Sequence, residues 1–423
     1  MIRHLRNKLY TLLRWSEKYT KTDMVYLTHG GFWLSFNKVV GMATSLALSI
    51  AFANLLSKES YGAYKYIISF VGILGVTTLT GMNTALSRSV SLGFEGSLRK
   101  VVKIKFLWGL LGMVGGLLIA SYYFYRGNAL LGFGFLVIAI LEPLIDSLIV
   151  YGAYLQGKKL FKISSILNGI TQTTTVGMII VSLALFKNVP LIILASLGTN
   201  FIVQGTLSLY VFKRYPPNSA TDIKTISYGK HLSLLNLFTT LADSLDKILL
   251  WHLIGPVELA IYSFALAPIT QGKAFLQSLT TLAFPKFAQQ KPEILRQTLV
   301  PKIVRLIAIL LVLVIAYMLL APYLYHILFP AYLDAVPFTR YYALYILLFP
   351  LSLVGSSFVA QGRHQYLYIL RIATPAVKIG LLILLIPMYG IYGAISALLL
   401  ATIFNSSVAL YLFKKPQGTA THT

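Results

Sequence analysis

Nine ionisable side chains lie inside long apolar stretches of this chain: Lys38, Glu142, Asp146, Asp243, Asp246, Lys247, Lys273, Arg371 and Lys378. An uncompensated charge in such a place costs roughly 2.5–3.5 kcal/mol on insertion scales, so each one needs a physical reason. Arg371 and Lys378 are seven residues apart and share one face of a helix. Pro375 between them is expected to kink that helix and free backbone carbonyls. Lys273 stands near Gln271 and Gln277. Cations among amides suit a concentrated anion, and an arginine adds paired N–H groups. The plainer reading of Arg371, and of Lys38 in the first stretch, is that each snorkels to a membrane surface. Asp243, Asp246 and Lys247 fall at i, i+3 and i+4. Asp243 is expected to pair with Lys247 in the favourable acid-first order, which would neutralise the helix for insertion. One acid is left over, and it is a candidate to bind H+ or Na+ as a coupling ion. Glu142 and Asp146, four apart around Pro143, are a second candidate pair, or are simply exposed near a helix end.

The elements that must carry these residues are membrane spans. The 423 residues are 57% hydrophobic and only 11% charged, with mean hydropathy +0.75, whereas a soluble domain carries about 25% charged residues. Windows of roughly 20 apolar residues, the length a bilayer crossing needs, recur near 29–55, 64–87, 104–125, 129–153, 163–186 and 189–212. Six more follow near 231–254, 259–285, 303–325, 335–358, 365–386 and 390–413. The fold expected is all-α and integral to the membrane, with about twelve spans. The connections are too short for a soluble domain. Cysteine is absent, which excludes disulfides and thiolate chemistry.

The net charge of +24 would suggest nucleic acid in a soluble protein. Here the cations follow the loops instead. Of 36 Lys and Arg, 26 lie before the first span or after the even-numbered ones, Lys105 counted among them. Five lie on the other side: Lys58, Lys65, Arg126, Lys187 and Arg340. The positive-inside rule then places both termini in the cytoplasm, with the chain in the cytoplasmic membrane and no nucleic-acid partner. Residues 1–28 form a basic amphipathic segment, read as an interfacial helix on anionic lipid or as a plain topology anchor. The apolar core of a cleaved signal peptide is missing.

The chain also repeats itself. Asn54–Tyr64 aligns with His252–Tyr262 at an offset of 198 residues: Leu55 meets Leu253, Gly62 meets Ala260 and Tyr64 meets Tyr262, while further on Arg88 meets Lys286. This divides the chain into a first lobe, 29–212, a cytoplasmic linker, 213–230, a second lobe, 231–413, and a tail, 414–423. Six spans per lobe start both lobes on the same side, as in transporters with parallel repeats and a path between the halves.

Four segments carry a resemblance. Leu55-Leu56-Ser57-Lys58-Glu59-Ser60-Tyr61-Gly62-Ala63-Tyr64 resembles the first outer turn of the polysaccharide-biosynthesis (Wzx-type) oligosaccharide flippases, within the superfamily that includes MATE exporters and lipid II flippases. Gly81-Met82-Asn83-Thr84-Ala85-Leu86-Ser87-Arg88 resembles the end of that family's second helix. Asp246-Lys247-Ile248-Leu249-Leu250, then Gly255-Pro256 and Ala260-Ile261-Tyr262, resemble the start of its second half. Pro387-Met388-Tyr389-Gly390-Ile391-Tyr392-Gly393-Ala394 resembles its turn into the last helix. The resemblance implies alternating-access export of an oligosaccharide linked to a polyprenyl pyrophosphate, with Lys273, Arg371, Lys378 and Lys38 as candidates to hold it. It implies membrane lipids, glycosyltransferases and a polysaccharide polymerase as partners, and no cofactor. A MATE-like cation-coupled drug exporter is the alternative, and would want acids in its cavity; a lipid II flippase is a further one. An enzyme is not expected. The connections away from the cytoplasm are too short for a catalytic loop, His252 and His326 have no evident catalytic partner, and no nucleotide motif occurs.

Overall fold

The computed structural model describes residues 24–289, 292–360 and 364–414. Most of the basic segment 1–28 and of the tail 414–423 lies outside the described residues. Every element among the described residues is helical: α1 (Met24–Leu55), α2 (Lys58–Thr77), α3 (Met82–Ser91), α4 (Ser97–Tyr125), α5 (Ala129–Leu148), α6 (Val150–Gly157), α7 (Phe161–Leu185) and α8 (Val189–Arg214) make up the first lobe. The second contains α9 (Lys224–Leu253), α10 (Pro256–Gln289), α11 (Pro292–Leu328), a 3-10 turn (Pro330–Ala335), α12 (Val336–Leu348), α13 (Ser352–Ala360) and α14 (His364–Lys414).

Among the described residues eight helical stretches, with α5 and α6 counted as one and the 3-10 turn, α12 and α13 as another, are long and apolar enough to cross a bilayer, and the pair α2 and α3, bent by 51°, makes a ninth. The long α14 is two crossings, because its helical dihedrals break at Gly390 (φ 56°, ψ −127°). The expected break at Pro375 is not where those dihedrals change; they run on to the glycine, which tolerates a positive φ. With α9 and α10, which have 30 and 34 residues but a more polar sequence, the spans among the described residues number twelve. Helix starts follow local chemistry. Ser57, Asn128 and Asn188 each cap a helix by accepting a bond from the amide three residues on.

The repeat is visible in the helix register. α1 ends at Leu55 and α9 at Leu253, while α2 starts at Lys58 and α10 at Pro256, so both landmarks recur 198 residues later. The chain between the lobes that is not helical is 215–223, because α8 and α9 each extend into the stretch 213–230.

Twelve crossings put residues 24 and 414 on one side, here called the terminal face; the opposite side is the distal face. At the distal face the lobes meet. Lys58 at the start of α2 pairs with Asp334 of the 3-10 turn at 2.6 Å. Behind it, Tyr61 packs on Phe264 and Tyr332, and Tyr66 stacks on Trp251 at 4.6 Å. A Cβ on Gly62 would overlap the carbonyl of Pro256, so only glycine lets α2 and α10 approach this closely. Within the first lobe, Gly109, Gly112 and Gly116 give α4 a smooth stripe against Pro143, Thr77 and Ala139, the small-residue packing on which membrane helices rely. Large apolar side chains such as Leu118, Ile202, Leu313 and Leu384 face outward, as lipid contact requires.

At the terminal face, Glu95 in the α3–α4 connection holds three segments together. Lys158 bonds both its oxygens, at 3.0 and 3.1 Å, Tyr154 donates at 3.1 Å, and the Asn218 amide of the inter-lobe link donates at 3.4 Å. Burial alone would push the Glu95 carboxyl up, but the bonds from Lys158 and Tyr154 outweigh it and hold it below the usual carboxylate range. Burial likewise pushes Lys158 down, but its bonds to Glu95 and Tyr154 bring it above the usual lysine value. A depressed acid contributes above its unfolded pKa, about 4.3, and a raised base below its own, about 10.4. The clip is therefore complete from about pH 5 to pH 9 and lost as pH falls below the ordinary carboxylate range. Glu95→Gln is expected to lower stability by about 1 kcal/mol. In thermal unfolding at pH 7 and pH 3.5, the difference from wild type should shrink at the lower pH.

Candidate functional site

Some of the polar residues that make α9 and α10 less apolar than their neighbours, Asp243, Asp246, Thr270, Lys273 and Gln277, line one cavity of about 510 Å³ in the second lobe. It lies among α9, α10, α12, α13 and both halves of α14. Asp243, Asp246, Lys273, Gln277, Thr374 and Lys378 line it, with Tyr342, Tyr345 and Asn405. Lys273 is 17 residues into α10 and Lys378 14 residues into α14, which places both well inside the bilayer thickness at about 1.5 Å per residue.

Each polar group has a defined neighbour. Lys378 pairs with Asp243 at 2.7 Å across the gap between α14 and α9. Lys247 pairs with Asp246 at 3.1 Å and donates to the backbone carbonyl of Asp243 at 2.9 Å. Tyr262 donates to the other Asp246 oxygen at 2.6 Å. The expected Asp243–Lys247 pair is thus replaced. Asp246 is buried and already aimed at Tyr262, so Lys247 takes that carboxylate and reaches back only to the main chain of Asp243. Lys273 donates to the Tyr345 hydroxyl at 2.7 Å and also lies 4.7 Å from the Tyr345 ring centre. Thr374 donates to Asn405 at 2.9 Å.

Of the nine intramembrane charges, the structure brings Lys273, Lys378, Asp243 and Asp246 to the cavity wall, with Lys247 behind Asp246. Arg371, two turns from Lys378, is exposed and is not among the lining residues. Lys38 is exposed on α1, in the first lobe. Gln271 turns instead to an apolar pocket of about 450 Å³ between α1, α10 and α11, with Val39, Leu46, Phe275 and Leu324.

The first lobe contains a separate buried pair. Lys105 is fully buried and lies 3.0 Å from Asp146. Thr78 donates to the same carboxylate, and Lys105 also reaches Asn83 at 3.3 Å. This corrects two expectations. Lys105 is not a loop cation at the terminal face, because α4 begins at Ser97 and carries it two turns inward. Asp146 is not a simply exposed acid, because it is the partner of Lys105. Glu142, one turn away on α5, is half-buried. Nearer the terminal face, Asn83, Arg88, Gln156, Lys159 and Asn168 line a polar recess of about 760 Å³ with no acid on its wall among the described residues.

Sequence reasoning missed Tyr345, Tyr262 and Thr374. Of these three only Tyr262 carried a signal, its match to Tyr64 in the repeat. Among the described residues, no group of His, Cys, Asp or Glu is arranged to hold a metal ion.

A search of curated proteins finds no match. Solved structures do match over most of the chain. An inward-facing multidrug resistance MATE family transporter of the MOP superfamily superposes with TM-score 0.64 at 17% identity, over 88% of this chain and 93% of that one. The lipid II flippase MurJ, in an inward closed conformation, gives 0.62 at 14%, over 92% and 88%. A MOP superfamily transporter from Pyrococcus furiosus, described by a reverse polarity of its binding pocket, gives 0.59 at 17%, over 92% and 96%. At such identities the likeness shows the fold, two six-helix lobes of MATE type. The family model described as polysaccharide biosynthesis protein matches residues 27–291, well over half of the sequence, and the chain belongs to that family.

Proposed function

We propose that this protein moves an oligosaccharide linked to an isoprenoid diphosphate from the cytoplasmic to the outer leaflet, by alternating access, for surface polysaccharide assembly. The observation that carries this reading is the second-lobe cavity, where Lys273 and Lys378 stand deep in the membrane among amides, hydroxyls and aromatic rings. A diphosphate presents several charged oxygens to such donors. The polar recess of the first lobe offers amides, hydroxyls and two cations suited to sugar hydroxyls and acidic substituents. The apolar pocket beside α1 suits a stretch of isoprenoid chain. Family membership and the likeness to a lipid II flippase support a lipid-linked saccharide as cargo.

The terminal face is read as cytoplasmic because the loop cations concentrate there. The drug-exporter reading is weakened by the acids themselves. Asp243 and Asp246 both already hold a lysine, which leaves a cationic drug poor company. Cells lacking this protein should accumulate the lipid-linked oligosaccharide in the cytoplasmic leaflet and lose surface polysaccharide. Reporter fusions at 215–223 should read as cytoplasmic and fusions beside Lys187 as external. Unchanged surface polysaccharide, or a cytoplasmic signal beside Lys187, would contradict the reading.

A further inference from the structure

The two acids of the second-lobe cavity are three residues apart on α9, yet they are held very differently. The Asp246 side chain is 4% exposed and fixed by Tyr262, by Lys247 and by the Lys247 amide. The Asp243 side chain is 66% exposed although it lines a cavity inside the bundle. Its partner Lys378 is the reverse, only 13% exposed. A largely exposed anion thus sits on a mostly buried cation.

That asymmetry has a direction. A buried ammonium without a counter-ion is strongly disfavoured, so Lys378 needs an anion whenever the cavity holds no cargo. Asp243 supplies one. It can also leave at little cost, because two-thirds of its side chain is open to the cavity rather than packed against protein. Asp246 cannot, since its release would leave Tyr262 without its acceptor and Lys247 without its counter-charge. Lys273 differs from both lysines: it rests on Tyr345, through hydroxyl and ring, and not on a carboxylate.

We propose that Asp243 is a resident counter-anion, which the diphosphate of the cargo displaces from Lys378 after first engaging Lys273. This rests on reading the cavity as a diphosphate site, and it adds an order of events and a role for the acid. Before loading, Lys378 is neutralised from within. On loading, phosphate oxygens take over Lys378 and the Asp243 carboxylate swings into the water of the cavity. On unloading, Asp243 returns and competes the cargo off. Asp243 acts through Lys378 and is a positioning residue.

The exchange is placed where it can be felt by both lobes. The Asp243–Lys378 pair ties α9 to α14. α9 packs on α2 and α3 of the first lobe, while α14 packs mainly against α9, α12 and α13 of its own. Opening the pair therefore removes one polar tie between the helix at the lobe interface and the rest of its lobe. An exchange of partners of this kind biases a two-state equilibrium only because the two states differ in which anion Lys378 holds.

The test is a double-mutant cycle on ligand affinity. Farnesyl diphosphate is titrated calorimetrically into wild type, Asp243→Asn, Lys378→Gln and the double variant, each in lipid nanodiscs. Asparagine keeps the size of Asp243 and one acceptor for Lys378 but removes the competing charge. Asp243→Asn should bind about two- to fivefold more tightly than wild type, the factor expected for loss of a partly exposed pair. With Gln at position 378 the same substitution should change affinity little. Export by Asp243→Asn should nevertheless be slower, because nothing competes the cargo off. If Lys378→Gln does not fold, Lys378→Met provides the background. Equal tightening in both backgrounds would reduce Asp243 to a distant repulsive charge and overturn the displacement, leaving the diphosphate site in place. Weaker binding by Asp243→Asn would do the same. No binding by any of the four proteins would overturn the diphosphate reading and the displacement with it.

Discussion

Lys273→Gln and Lys378→Gln are each expected to reduce export roughly tenfold to a hundredfold, and the double variant to abolish it, while protein levels in the membrane stay near wild type. The size follows from one charge-assisted hydrogen bond to the cargo lost per substitution, about 1.5–3 kcal/mol. Folding should survive because neither lysine depends on its charge for its place. Glutamine at 273 can still bond Tyr345, and loss of Lys378 leaves Asp243 open to the cavity rather than sealed in the core. Arg371→Gln should have a much smaller effect, since Arg371 is exposed and does not line the cavity. Surface polysaccharide measured against immunoblotted protein separates transport loss from instability. Full export by the double variant would remove these lysines from the mechanism.

Lys105→Met should behave in the opposite way, with a large loss of stability as the primary effect. The lysine is completely buried and its partner Asp146 is 13% exposed. Removing one member of a buried pair leaves the other uncompensated, at about 3–5 kcal/mol. Thr78 would still bond Asp146, but a hydroxyl cannot neutralise a carboxylate. Lys105→Met together with Asp146→Leu should recover much of the loss, as replacing a whole buried pair by apolar groups often does. Thermal unfolding in detergent reads both. A single Lys105→Met variant as stable as wild type would show that Asp146 has another partner or carries a proton in the fold.

The two predictions mark what could and could not be read from sequence. The spans were legible because each is a separate apolar window, and the 198-residue repeat appears unchanged in where α1, α2, α9 and α10 start and stop. Lys273 and Lys378 were legible as a pair of candidates, because a cation deep in an apolar stretch needs a polar destination. Lys105 was not. It lies only eight residues into α4, and counting cations by loop assigns any residue near a span end to the surface. Nor was the partner of Asp243. Spacing along one helix reveals only neighbours three or four positions away, whereas Lys378 is 135 positions away in sequence. Arg371 shows the converse limit, since sharing a helical face with Lys378 did not bring it to the same cavity wall.

The central claim is that cargo crosses between leaflets through this protein, and a leaflet-resolved assay tests it most directly. A fluorescent oligosaccharide on a polyprenyl diphosphate is placed in proteoliposomes, and its exposure is followed with a membrane-impermeant glycosidase. An anionic cargo leaving the cytoplasmic leaflet moves with an inside-negative potential, which favours it by about 2.3 kcal/mol per charge per 100 mV. Cations in the cavity offset part of that charge on the loaded step. The empty carrier then returns with Lys273 still charged, in the direction the same potential favours. The oligosaccharide should reach the leaflet opposite the terminal face faster than in protein-free vesicles, faster still under an imposed inside-negative potential, and not with Lys273→Gln/Lys378→Gln. Redistribution no faster than in protein-free vesicles, with or without the potential, would contradict the claim.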